Sequence, residues 1–257
     1  MNMPRIIPCL LLKGDGLVKG VKFKNYTYIG DPLNAVKIFN DKKVDELFFM
    51  DITASAEGRI PRLDLIRDIA DECYMPFGVG GGICSIQQIK EIIEAGAEKV
   101  SINSAAIENP KLIKEAAAIF GNQSIVVSID VKKNWRGKYV VMSHSGTKKS
   151  KLELINWVKQ VEDLGAGEII INSIANDGMM EGYDLELIRA VSKAVSLPVI
   201  AAGGAANMNH FAEAVSAGAS AVSAGSMFVF TGRHRAVLIN YPSVGEIEET
   251  FIEKRKL

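Results

Sequence analysis

The stretch Pro76-Phe77-Gly78-Val79-Gly80-Gly81-Gly82-Ile83, with Ala95-Gly96-Ala97 and Val100-Ser101-Ile102-Asn103-Ser104 after it, returns later in the chain. It reappears as Pro198-Val199-Ile200-Ala201-Ala202-Gly203-Gly204-Ala205, Ala217-Gly218-Ala219 and Val222-Ser223-Ala224-Gly225-Ser226. One constant offset of about half the chain, with no gap, lays proline on proline, Gly-Gly on Gly-Gly and serine on serine. Self-similarity of this kind means two like structural units that share one core. Apolar runs also alternate with helix-like segments along the whole sequence, the pattern of a parallel α/β fold. Strands are predicted near Arg5–Leu11, Glu46–Asp51, Phe77–Gly80, Lys99–Asn103, Ile125–Asp130, Glu168–Ser173, Val199–Ala202 and Ala221–Gly225. Eight such strands in two like halves predict a (β/α)8 TIM barrel made of two half-barrels, with residues 1–257 as a single domain.

Thirty basic and thirty acidic residues leave no net charge, which argues against nonspecific nucleic-acid binding. An apolar content of 48% supports a sizeable core. No apolar run approaches the roughly 18 residues of a membrane span. Met1 to Pro8 lack a basic region followed by an apolar segment, so a cytoplasmic protein is expected. Cys9, Cys73 and Cys84 are odd in number and lack a C-x-x-C spacing, as for reduced thiols. His144, His210 and His234 fall in separate elements, so no metal site is expected, and no cofactor is implied. Of the three, His144 lies in a loop that can reach a substrate.

Several helix starts are marked. Asp31-Pro32 and Asn109-Pro110 place a capping side chain before a proline, while Ser85 to Gln88 and Ser243 to Glu246 read as capping boxes. Two connections exceed what a barrel needs. Lys13 to Gly30 follows the first strand and is expected to form a mobile lid; Val131 to Lys151 follows the fifth and contains a turn at Trp135-Arg136-Gly137-Lys138. Both leave strand C-termini, where barrels carry their sites.

Glycine at such a position lets the backbone approach an anion, and the helix that follows offers unpaired N–H groups. Gly80-Gly81-Gly82 with Asn103-Ser104 make one candidate phosphate grip. Gly203-Gly204 with Gly225-Ser226 make the other, beside Asp177-Gly178. The matched pairs imply a phosphorylated small molecule with two phosphate ends, or one phosphate and a similar polar end; tight turns alone are the simpler alternative. Asp130 ends an otherwise apolar strand and is the candidate acid/base, unless it only pairs with Lys132 or a loop amide. Aligning the first strand on the fifth puts Leu11 at the position of Asp130. Asp51 serves either catalysis or the Thr53–Ser55 loop, and Asp177 shapes the phosphate loop. At the opposite strand ends, Arg5, Glu46, Lys99 and Glu168 alternate in sign and can form a ring across the barrel floor, either a structural plug or a polar gate.

Together, Arg5-Ile6-Ile7-Pro8-Cys9-Leu10, Asp45-Glu46-Leu47, Asp51-Ile52-Thr53-Ala54-Ser55, Val79-Gly80-Gly81-Gly82-Ile83, Lys99-Val100-Ser101-Ile102-Asn103, Ile129-Asp130 and Gly203-Gly204-Ala205 resemble the cyclase subunit (HisF) family of imidazole glycerol phosphate synthase, over essentially the whole chain. The resemblance implies a barrel that receives ammonia from a glutaminase subunit docked on the strand N-terminal face. It also implies an ammonia gate at Arg5, Glu46, Lys99 and Glu168, phosphate sites at the two grips and a catalytic role for Asp130. The family's second catalytic aspartate falls on Leu11, which can neither give nor take a proton. Gly16-Leu17-Val18-Lys19, Val21-Lys22-Phe23-Lys24 and His234-Arg235-Ala236-Val237-Leu238-Ile239-Asn240-Tyr241-Pro242 are similar to a paralogous, glycosyl amidation-associated (WbuZ-type) branch. That branch implies ammonia supply to a sugar amidotransferase that makes an amidine on an N-acetylated nucleotide sugar for surface polysaccharide. The alternatives it leaves are a working cyclase of histidine biosynthesis and a scaffold that only activates the glutaminase.

Overall fold

A computed structural model describes residues 3–232 and 234–252. Eight parallel strands form the barrel: β1 (Arg5–Lys13), β2 (Leu47–Asp51), β3 (Phe77–Gly80), β4 (Lys99–Ile102), β5 (Ile125–Lys133), β6 (Glu168–Ser173), β7 (Val199–Ala202) and β8 (Ala221–Ala224). Each pairs with the next, and β8 pairs with β1, so the eight strands close into a barrel. Helices between the strands turn apolar faces inward, and no helix among the described residues is long and apolar enough to cross a membrane.

Inside the barrel a small apolar layer of Ile7, Phe48, Val126, Ile170, Ile200 and Ala221 separates floor from mouth. Phe48 occupies the space beside Gly78, where a Cβ would collide with its ring. The duplication seen in the sequence is repeated in three dimensions. Gly96 and Gly218 both have left-handed φ, 114° and 109°, and a side chain on either would press on Ala70 or Ser192. Those two contacts are related by the same half-chain offset as the glycines themselves.

The long connections are not simple loops. β1 and β5 run past the barrel rim because each continues into a hairpin. Gly16–Val21 folds back on β1 and pairs with Lys24–Gly30. Tyr139–Ser143 folds back on β5, and the turn falls where expected, with Gly137 at φ 75° and Asn134 N–H bonded to the Lys138 carbonyl at 2.9 Å. Asp31 caps its helix through Asn34 N–H, and Ser243 and Glu246 form a reciprocal box. Ser85 accepts from Gln88 N–H, but Gln88 reaches Cys84 N–H instead of Ser85. Asn109 does not cap by its side chain. It ends the short helix Ser104–Glu108, so Pro110 stands at the cap of helix Lys111–Phe120 and only the Asn109 carbonyl is used, by Leu112 N–H.

Candidate active site

A cavity of about 340 Å3 opens at the C-terminal ends of the strands. Asp130 stands in its wall, 8% exposed, and accepts from Asn103 Nδ2 at 2.8 Å and Asn172 Nδ2 at 3.1 Å. Burial pushes its carboxyl up to about 7; the charge of Asp177 adds to the rise, and the two amides oppose it. A carboxyl with that value exchanges its proton at neutral pH, which suits a general acid or base. Its ion pairing with Lys132 is absent among the described residues; the partners are the two asparagines.

Strand register identifies the counterpart of Asp130 in the first half-barrel. Asp130 pairs with Asn172 and Val131 with Ser173, while Leu11 pairs with Met50 and Leu12 with Asp51. Met50 and Asn172, and Asp51 and Ser173, are related by the half-chain offset, so Leu11 takes the place of Asp130. Both line the cavity.

The two glycine turns face each other across this mouth. Gly81 and Gly82 have φ of 122° and 66°, Gly203 and Gly204 of 85° and 119°, and all four line the cavity. Side chains there would strike the Asp51 and Arg59 carbonyls on one side and the Ser173 and Gly182 carbonyls on the other. The short helices Ser104–Glu108 and Ser226–Val229 begin beside them, after Asn103 and Gly225 in closely similar backbone conformations. Ser226 Oγ is buried with no hydrogen-bond partner among the described residues, while Ser104 Oγ accepts from His144 N–H at 2.9 Å. Asn103, Ser104, Gly225 and Ser226 line the cavity, as do Asp177 and Gly178. Gly80 does not. It lies within β3, where the missing Cβ makes room for Met50 Sδ, 2.5 Å from where that atom would be.

Asp51 is committed to its own loop. Its Oδ1 accepts from Thr53 N–H, Thr53 Oγ1 and Ala54 N–H, and Oδ2 accepts from Arg59 Nη1 at 2.6 Å. Asp177 ties down the first hairpin: its carbonyl accepts from Lys22 N–H and its carboxylate from Phe23 N–H. Burial raises the Asp177 pKa, and Lys19 opposes the rise. His144 lines the cavity, with Nε2 3.6 Å from Glu108 Oε1. Lys19 and Asn172 also line the cavity and lie outside the glycine motifs and the strand-end carboxylates. Lys19 is 5% exposed, and its ammonium reaches the Cys9 carbonyl at 3.4 Å and lies where a Gly225 side chain would be. The signal for it was a lone lysine in the otherwise apolar Leu17-Val18-Lys19-Gly20-Val21.

At the opposite end the four charges close a ring. Arg5 bridges Glu46 and Glu168, and Lys99 Nζ bridges the same two, at 2.7 Å and 2.9 Å. Residues 5–235 match the model of the family described as "Histidine biosynthesis protein". The chain belongs to this family. The provisionally named imidazole glycerol phosphate synthase subunit HisF of Leptospira borgpetersenii is 48% identical over 98% of this chain and 100% of its own length. A protein of Pseudomonas aeruginosa, provisionally named subunit hisF2 of the same synthase, is 47% identical over 95% of this chain and 98% of its own. The imidazole glycerol phosphate synthase subunit HisF of Thermococcus onnurineus is 44% identical over 99% and 97%. The protein is thus a HisF-like member of the histidine biosynthesis family.

Proposed function

We propose that this HisF-like barrel is the ammonia-receiving subunit of a glutamine-dependent synthase. A glutaminase subunit seats on the strand N-terminal face, and ammonia enters past Arg5, Glu46, Lys99 and Glu168. At the mouth it serves amidination of an N-acetylated nucleotide sugar for surface polysaccharide, carried out with a sugar amidotransferase. The setting is cytoplasmic. The observation that carries this reading is the combination of a complete charge ring on the floor with Leu11 in place of a carboxylate at the mouth. A conduit needs the ring and has no need of an acid on β1.

The test is direct. Purified protein given ammonium salts and the ribulosyl carboxamide ribotide should show little cyclase turnover, because loss of a positioned acid or base costs about two to four orders of magnitude. Near-normal turnover would sink the conduit reading. A specific observation favours the second reading, a cyclase of histidine biosynthesis. Asp130, held near 7 by burial, keeps its two amide partners and stands between two retained glycine grips.

A further inference from the structure

β1 supplies no acid to the cavity wall, where Leu11 stands, but a phenol lies over that wall. Tyr26 stands on the second arm of the β1 hairpin, Lys24–Gly30, and lines the same cavity as Leu11, Asp130 and Asp177. The hairpin that carries it is anchored at its first strand and turn. Lys22 N–H donates to the Asp177 carbonyl at 2.9 Å, and the Gly20 backbone lies directly against Gly178. The Tyr26 ring packs on Gly20, where an added Cβ would come within 2.7 Å of ring carbon Cε1. Lys13 Nζ sits 5.8 Å from the ring centroid.

The hydroxyl, by contrast, is uncommitted: it makes no hydrogen bond to a described residue. Burial, then the charges of Asp177 and Asp130, raise the phenol pKa above its ordinary value, so the group is an O–H donor throughout the neutral range. Here the ring is half-buried and held while its donor is unspent, in the lining of the cavity that also holds Asn103, Asp130 and Asn172. A few placed polar groups in a largely apolar wall are what orient a ligand.

We propose that the Tyr26 hydroxyl contacts the bound ligand, donating a hydrogen bond to an oxygen of the segment between its phosphate-bearing ends, as the polar counterpart to Asp130 that β1 does not supply. The ligand class is a phosphorylated sugar or polyol with a carbonyl or hydroxyl oxygen at mid-length. This deepens, and rests on, the reading of the mouth as a phosphate-ligand site.

The experiment titrates the ribulosyl carboxamide ribotide into wild type, Tyr26→Phe and Tyr28→Phe, following calorimetry and the tyrosine ultraviolet difference spectrum. Phe keeps the packing on Gly20, and an unchanged melting temperature confirms the fold. Tyr28 is 64% exposed on the same arm and serves as the control. Wild type and Tyr28→Phe should bind alike, with a tyrosine difference band. Tyr26→Phe should lose the band and bind about five- to tenfold more weakly, the effect of one neutral hydrogen bond. Equal affinity and an unchanged band in Tyr26→Phe overturn the inference and leave the phosphate-site reading standing. Failure of wild type to bind the ribotide overturns both.

Discussion

Ionised Asp130 is a cost that the fold carries at neutral pH, and its size can be worked out. Burial, the largest cause, holds the folded carboxyl near 7, against an ordinary value of 3.8. The folded protein therefore keeps this proton to higher pH than the unfolded chain does. Stability from this group is fully present below about pH 4 and is lost as pH rises to about 7. Three pKa units correspond to about 4 kcal/mol across the full window, of which about 3 kcal/mol falls between pH 5 and 8. Asp130→Asn cannot ionise and has nearly the same shape. Asn103 and Asn172 each hold a buried Oδ1 without a hydrogen-bond partner among the described residues, so rotating either amide lets it accept from the new side chain. Urea unfolding at pH 5, 6, 7 and 8, read by the fluorescence of buried Trp157, should show the variant gaining on wild type by about 3 kcal/mol over that range. Parallel profiles within about 0.5 kcal/mol would refute burial as the force acting on Asp130.

Other outcomes follow from the same geometry. Glu46, 2% exposed, is bridged by both Arg5 and Lys99, so Glu46→Gln should cost about 3 to 5 kcal/mol in urea unfolding. Replacing all four ring residues by Met or Leu should cost far less, because no charge is then stranded. Gly82→Ala combines φ of 66° with a collision against the Arg59 carbonyl and should lower the melting temperature along with phosphate affinity. At Gly225 φ is −122° and the chief obstacle is the flexible end of Lys19. Gly225→Ala should therefore weaken inorganic phosphate binding with a smaller loss in melting temperature. Leu11→Asp should raise ammonium-dependent turnover of the ribotide by about a hundredfold or more if the missing carboxylate is what limits cyclase chemistry; a flat response excludes that cause.

The parts of the fold that periodicity controls were legible in the sequence. Apolar strands, Gly-Gly turns and the half-chain offset gave all eight barrel strands, and the alternating charges at Arg5, Glu46, Lys99 and Glu168 gave the pairing on the floor. The rim was less legible. Lys13 to Gly30 mixes lysine, glycine and aromatic residues, so its strand pairing emerges only from the register Leu11 with Val18 and Val18 with Tyr28. Asp51 was ambiguous because its role depends on Arg59, which reaches back from beyond the short helix Ala54–Glu57. Gly80 ends its strand as expected but stays out of the cavity, because the space of its missing Cβ is taken by Met50 Sδ. An Asx-Pro pair marks a helix start, yet at Asn109 the preceding helix ends on the asparagine itself.

The half-barrels differ by more than a single residue at the mouth. Asp130 and Asn172 are strand neighbours joined by a hydrogen bond, and their counterparts Leu11 and Met50 are strand neighbours that are both apolar. A carboxylate at Leu11 would find no amide from Met50, whose Sδ instead fills the space left by the missing Cβ of Gly80 on the next strand. An acid there would be half-buried with fewer donors than Asp130 has, so burial would raise its pKa with less to oppose the rise. Leu11→Asp alone is then a partial repair, and Leu11→Asp with Met50→Asn is the fuller one. The double variant should show a larger gain in turnover than the two single changes predict by addition, since the two positions are direct neighbours on adjacent strands. Strict additivity would mean that the apolar pair is a packing accident with no bearing on the chemistry of the mouth.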